Sequence, residues 1–217
     1  MNKKMLIIGG TGGLGKNMTK MLTEKYSVTS LGSRELDVTR FRDLQKHFHV
    51  NRYDIVLNLS GYSYDSFLHK YDEESIDECY KQIDINIKGN ANLLSACLPS
   101  MRQSGYGRVI ILSSVLSDMP VLGTSIYSAS KSFIDCLVKT ASLENTSKGI
   151  TCNSIQLGYF AAGMAHRIPE KHKNSIVNSI PLKRFGKMSE LYNTINFIID
   201  NEYVTGTSIK IDGGVSL

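Results

Sequence analysis

Tyr127 and Lys131 stand four residues apart in Tyr127-Ser128-Ala129-Ser130-Lys131, within a stretch of helical period. Positions four apart share one helix face, so a phenol and an ammonium project to the same side. A free phenol titrates at about 10, too high to exchange protons readily at neutral pH. A neighbouring ammonium favours the phenolate and lowers that value, which suits general acid–base chemistry. The bland alternative is a chance pair on a helix surface, so the weight of the pattern rests on its company.

A second constellation is Gly9-Gly10-Thr11-Gly12-Gly13-Leu14-Gly15, with an apolar run before it and a helical pattern after it. Glycines let the backbone turn tightly and approach a diphosphate. The helix that follows offers free N–H groups and the positive end of its dipole. Glycine clusters also mark plain turns. The strand–turn–helix context favours a nucleotide site.

Elements that position these groups follow from the apolar pattern. Strands are expected at Met5–Ile8, Val28–Leu31, Ile55–Leu59, Val109–Leu112, Ile150–Gln156 and Ser208–Ile211. Helices are expected at Leu14–Glu24, Arg40–His49, Glu73–Met101, Ile126–Asn145 and Glu190–Ile199. Short apolar runs alternating with helical segments predict an α/β fold, a parallel sheet flanked by helices. Only a few residues separate Leu31 from Asp37-Val38, whereas a parallel crossover needs about a dozen. The spacing predicts that the helix after the second strand is missing and the third strand reduced to a stub.

Bulk properties exclude several classes. The 217 residues suit one domain. At 41% hydrophobic and 21% charged they resemble a globular chain rather than a disordered one. No apolar run approaches the roughly 20 residues that span a bilayer. The start MNKKMLIIGG reads as a first buried strand, not a signal peptide, so a cytoplasmic location is expected. A net charge of +5 needs no nucleic acid to explain it. The basic cluster His166, Arg167, Lys171, His172 and Lys173 reads first as a solvated helix face. Cys79, Cys97, Cys136 and Cys152 lack zinc spacing and read as free buried thiols. His47 and His49 read as filler, and no metal site is expected.

The order Gly9-xxx-Gly13-x-Gly15, then Asn58-Leu59-Ser60-Gly61, then Tyr127-xxx-Lys131 resembles the short-chain dehydrogenase/reductase family. Further matches are Asn153 to Gly158, Ile180-Pro181-Leu182-Lys183-Arg184-Phe185-Gly186 and Ile211-Asp212-Gly213-Gly214, signatures common in reductases similar to 3-oxoacyl-carrier-protein reductase. The resemblance covers nearly the whole chain. Ile8, Leu157 and Ala162 depart from it, standing where threonine, proline and threonine are usual.

That resemblance implies a Rossmann-like doubly wound parallel sheet in a single domain over residues 1–217, the cofactor half ending about residue 112. It implies a catalytic set of Asn86, Ser114, Tyr127 and Lys131. Ser114 orients the substrate oxygen and Tyr127 moves its proton. Lys131 lowers the tyrosine pKa and holds the nicotinamide ribose, and Asn86 links Lys131 to solvent through water. Cofactor contacts are expected from the glycine turn, from Asp37 and Val38 at adenine, and from Asn58, Ser60 and Gly61 beside the sheet. Gly158 and the Phe160 backbone are expected near the nicotinamide, with Tyr127 and Lys131. Ser33 and Arg34 after the second strand could bind a 2′-phosphate. Glu35 is the competing ribose carboxylate, so NADP(H) is favoured and NAD(H) is not excluded.

Tyr159 to Ile180 is expected to form a substrate lid, with Leu116, Met119, Val121, Tyr159 and Met164 lining a partly apolar pocket. The implied partners are a carbonyl or alcohol substrate, anionic or carrier-bound, and further copies in a homodimer or homotetramer. No membrane partner is expected. One alternative is a sugar-nucleotide epimerase or dehydratase, although a chain ending at Leu217 leaves no room for its substrate domain. The other is a redox sensor that binds NADP(H) without turnover.

Overall fold

A computed structural model describes residues 2–162 and 170–217. Its first strand, β1 (Lys4–Ile8), carries the apolar run Met5–Ile8, every residue of it buried. Continuous burial of this kind is what a central parallel strand requires, because both faces are covered. The other strands are β2 (Ser27–Leu31), β3 (Ile55–Asn58), β4 (Gly107–Ser114), β5 (Ile150–Leu157) and β6 (Ser208–Ile211). They form one sheet in the order β2-β1-β3-β4-β5-β6, and every pairing is parallel.

The helices are α1 (Gly13–Leu22), α2 (Phe41–Val50), α3 (Ile76–Ile83), α4 (Gly89–Ser104), α5 (Ser125–Asn145), α6 (Glu170–Ser179) and α7 (Met188–Asp200). Strand alternation divides the core into two layers. Leu6 and Ile8 pack with Val56, Val109 and Ile111 under α2, α4 and α5. Met5 and Ile7 pack with Ile55, Leu57 and Ile110 under α1 and α7. This is the expected Rossmann-like fold. Its strand order reverses at β1, whose neighbours are β2 and β3, and such a reversal opens a crevice at the carboxyl ends of the strands.

The expected loss of a helix after β2 is observed, since nothing helical lies between Leu31 and Phe41. The expected stub of a third strand does not form. Asp37 instead accepts from the Thr39 N–H and hydroxyl, both at 2.9 Å, folding the segment into a turn and leaving β2 as an edge. Leu36 and Val38 still reach the core, so the short connection covers the sheet that a helix would have covered.

Two other expectations change. The helix expected over Glu73–Met101 is broken into α3, a π turn at Asp84–Lys88 and α4. Within the expected lid, α6 is helical. Met164, His166 and Arg167 lie outside the described residues, as do the side chains of Lys171 and His172. No helix among the described residues is long and apolar enough to cross a membrane.

Candidate active site

The glycine turn is built by close approach. Gly9 has φ +78°, and a Cβ there would lie 2.7 Å from the Ser60 nitrogen. A Cβ on Gly15 would lie 2.1 Å from the Gly9 carbonyl oxygen. Only glycine lets β1, the end of β3 and the start of α1 meet this tightly. Gly10 donates to the Leu31 carbonyl at 3.0 Å, fixing the turn to β2. The first turn of α1 holds no acidic residue, so its positive end is not neutralised locally.

Above this turn lies a cavity of about 760 Å³. Of the expected cofactor residues, Gly9, Thr11 and Gly12 line it from the turn. Ser33, Asp37 and Val38 line it from the connection after β2, and Ser60 and Gly61 from the end of β3. Gly10, Gly13, Leu14 and Gly15 shape the turn behind that wall. Arg34 is exposed beside it. Glu35 is committed elsewhere, its Oε2 accepting from the Gly32 N–H at 2.8 Å. The sequence reading missed Asp77, Tyr80 and Lys81, which α3 brings to the opposite wall.

Asn58 lies behind the cavity. Its Oδ1 accepts from the Ser60 N–H and hydroxyl, while its Nδ2 donates to Asn90 Oδ1 at 2.7 Å. Asn90 Nδ2 donates to the Asn86 carbonyl at 2.7 Å, and Asn86 Nδ2 reaches Ser130 Oγ at 3.0 Å. A buried polar ladder therefore runs from the cavity floor to α5. Tyr62 closes it, its N–H donating to Asn86 Oδ1 at 2.9 Å and its carbonyl accepting from Nδ2 at 2.7 Å. The π turn makes this possible by swinging Asn86 out of ordinary helical register, and π turns recur at functional sites.

Ser114 ends β4, and Tyr127 and Lys131 sit one turn apart near the start of α5. Ser114 stands near enough to the Tyr127 phenol to favour its ionised form. Lys131 Nζ donates to the Leu112 carbonyl at 2.8 Å and lies 5.5 Å from the Tyr127 ring centroid. A Cβ on Gly61 would stand 3.5 Å from Lys131 Nζ and 3.6 Å from Asn86 Oδ1. All four members of the expected set thus converge, and Asn86 and Lys131 meet at the Gly61 edge of the cavity.

One expectation is reversed. Lys131 was expected to lower the Tyr127 pKa, but burial pushes the phenol up to about 12. Ser114 opposes that shift and the Asp65 charge adds to it. Lys131 is itself lowered to about 8 by burial, against the pull of Asp135. The cause is geometric: the ammonium is turned to the Leu112 carbonyl rather than the phenol oxygen.

Gly158 and Phe160 have packing roles. A Cβ on Gly158 would meet the Asp212 Cα at 2.7 Å, and the Phe160 ring is buried against Gly186. The bridge to Gly186 uses the Tyr159 carbonyl and the Ala161 N–H, so Phe160's own peptide groups are turned away from it. Ala162 is buried. In the expected apolar pocket, Leu116 and Met119 are half-buried while Val121 and Tyr159 are exposed. Cys79, Cys97 and Cys152 are buried as expected, but Cys136 is exposed, on the outer face of α5.

A family model described as Enoyl-(Acyl carrier protein) reductase matches residues 11–216. The chain belongs to the short-chain dehydrogenase/reductases. As a member of that family it is a short-chain oxidoreductase. Among its relatives is the 3-oxoacyl-(acyl-carrier-protein) reductase FabG of Staphylococcus epidermidis, 27% identical over 245 residues, with 99% of each chain covered. FabG of Rickettsia felis is 28% identical over 235 residues, covering 98% of this chain and 96% of the relative. These alignments are longer than the 217-residue chain, so the relatives carry segments that this short-chain enzyme lacks. A solved structure of a tyrosine-to-phenylalanine variant of ElxO with NADPH bound matches with a TM-score of 0.87 at 22% identity, covering 99% of both chains. At that identity the likeness concerns the fold.

Proposed function

We propose that this chain is an NADP(H)-dependent reductase that interconverts a carbonyl and an alcohol, with Tyr127 as the proton donor. The observation that carries this reading is the gathering of Ser114, Tyr127, Lys131 and Asn86 beside a glycine-floored cavity, with Lys131 and Asn86 against its Gly61 edge. The cavity fits a dinucleotide: Gly9 and Gly15 leave out side chains that would fill the turn, and the α1 N-terminus faces a diphosphate position. When bound, the nicotinamide supplies or accepts the hydride at its C4.

The protein's own groups handle the proton. Ser114 holds the substrate oxygen within reach of the Tyr127 hydroxyl. Tyr127 is protonated at neutral pH because burial disfavours the phenolate, so in reduction it donates to the oxygen as negative charge develops there. Lys131, 5.5 Å from the Tyr127 ring centroid, stabilises the phenolate left behind through its charge while its N–H stays on the Leu112 carbonyl, and Asn86 holds the Gly61 edge through which the proton is replaced.

A pH dependence follows. Below about pH 8 Lys131 is charged and stabilises the phenolate; above it the ammonium is lost. We expect kcat/KM for reduction to fall as pH rises through about 8, with the Tyr127 limb far higher, at about 12. A profile flat to about pH 10 would contradict this role for Lys131.

NADP(H) is preferred over NAD(H) in this reading. Glu35, the rival ribose ligand, is held by the Gly32 N–H, while Ser33 lines the cavity and Arg34 stands beside it. Arg34→Ala is expected to weaken NADPH binding about tenfold and leave NADH unaffected, as loss of a charge-assisted bond implies. An NADH preference unchanged by the substitution rejects the assignment.

The names of the FabG relatives make 3-oxoacyl thioesters the first substrates to test. The reading includes a cytoplasmic homodimer or homotetramer. NADPH consumption with a panel of ketones and 3-oxoacyl thioesters tests it, and binding without consumption would favour the sensor alternative.

A further inference from the structure

Lys131 is 3% exposed, and a buried ammonium is strongly unfavourable without a compensating charge. Among the described residues Asp135 is the one buried carboxylate, 7% exposed and one helical turn beyond Lys131 on α5. The other buried cation, Arg108, has its own partner, reaching Glu202 at 2.8 Å. The carboxylate of Asp135 is held firmly. Ser154 Oγ donates to Oδ1 at 2.6 Å, and Gln156 Nε2 donates to Oδ2 at 2.9 Å. Gln156 is fixed in turn by Ser117 Oγ at 2.8 Å.

Among the described residues little else around Lys131 carries charge. On its own helix the other ionisable neighbour is Tyr127, and Asp65 from the loop after β3 bears on that phenol. β4 presents the Leu112 carbonyl and Ser113, β5 presents Ser154 and Gln156, and the π turn presents Asn86. The buried residues of α3 are Cys79 and Gln82. Asp84 and Lys88 of the π turn pair with each other at 3.4 Å on the surface.

We propose that Asp135 is a positioning residue of the proton relay, the buried counter-charge that keeps Lys131 an ammonium at neutral pH. The proposal rests on the role given to Lys131 above. Asp135 touches neither substrate nor cofactor; it acts through Lys131, from the side of the helix facing β5. The pairing is indirect, through the low-dielectric space between α5 and β5, where a charge one turn away is poorly screened.

The test is the pH profile of kcat/KM in Asp135→Asn beside the parent. The alkaline limb is expected to move down by about one pH unit, making the variant about fivefold slower at about pH 8 and nearly equal to the parent at about pH 6. Asp135→Glu restores the parent profile. An alkaline limb in Asp135→Asn that coincides with the parent's overturns the proposal. A stability cycle gives an answer independent of turnover. Asp135→Asn strands the Lys131 charge, so adding Lys131→Met is expected to raise the melting temperature of that variant or to restore its folding. Additive losses across the cycle overturn the proposal, because a hydrogen-bonding role alone gives no coupling. A parent without NADPH turnover would refute the proposed function, and the cycle would still decide the pairing.

Discussion

Replacing Tyr127 with phenylalanine is expected to lower kcat for NADPH-dependent reduction by about 10²–10⁴-fold, the range that a positioned acid contributes. NADPH binding is expected to stay within about threefold, because the ring remains and only the hydroxyl is lost. Tyr127 is buried, with Ser114 beside its phenol. Removing the hydroxyl therefore takes away the proton without opening the cavity wall, which Tyr127 does not form. Stopped-flow binding and steady-state turnover of the same preparation separate the two effects. Turnover near the parent rate would mean that another group supplies the proton.

Gly15→Ala carries the second large effect. The added methyl would sit 2.1 Å from the Gly9 carbonyl oxygen and 2.6 Å from the Gly10 Cα. Both are backbone atoms and cannot rotate away, so the turn itself must move. Overpacking of this kind costs about 1–3 kcal/mol, enough to weaken cofactor binding by about 5–150-fold. Titration of NADPH against the variant measures it, with the melting temperature of the cofactor-free protein reporting the strain. Gly105→Ala is the control, since a Cβ there meets nothing within 4 Å. Its φ of +70° predicts only a modest strain at a helix end. Equal NADPH affinity in the Gly15 variant and the parent would show that the turn does not bind the diphosphate.

Much of this was readable in the chain because the physics is local. Strands buried on both faces must be apolar throughout, so β1, β3 and β4 stand out in sequence. The absence of a helix between β2 and Asp37 is a matter of chain length, since the few residues between Leu31 and Asp37 cannot form one. Tyr127 and Lys131 are legible because helical spacing alone puts them on one face.

The rest depends on partners distant in sequence. Asn58, Asn90 and Ser130 look like polar residues with no particular task until the fold stacks them into a ladder. The π turn at Asn86 has no local signature, because its register is set by Tyr62 and Ser130. Asp77, Tyr80 and Lys81 reach the cavity only because α3 folds over it. The direction of the Tyr127 shift was misjudged for a related reason: spacing gives a shared face, but burial and the Leu112 carbonyl decide where the ammonium points.

In the proposed reaction the nicotinamide hydride goes to a carbonyl carbon while Tyr127 moves the proton. NADPH deuterated at the nicotinamide C4 tests it most directly, with product analysis after incubation with a 3-oxoacyl thioester or ketone from the panel. The expected result is deuterium on the new alcohol carbon from one face of the labelled cofactor, with labelled product forming about 10²–10⁴-fold more slowly in Tyr127→Phe. Tight NADPH binding with no transfer of label to any substrate would contradict it.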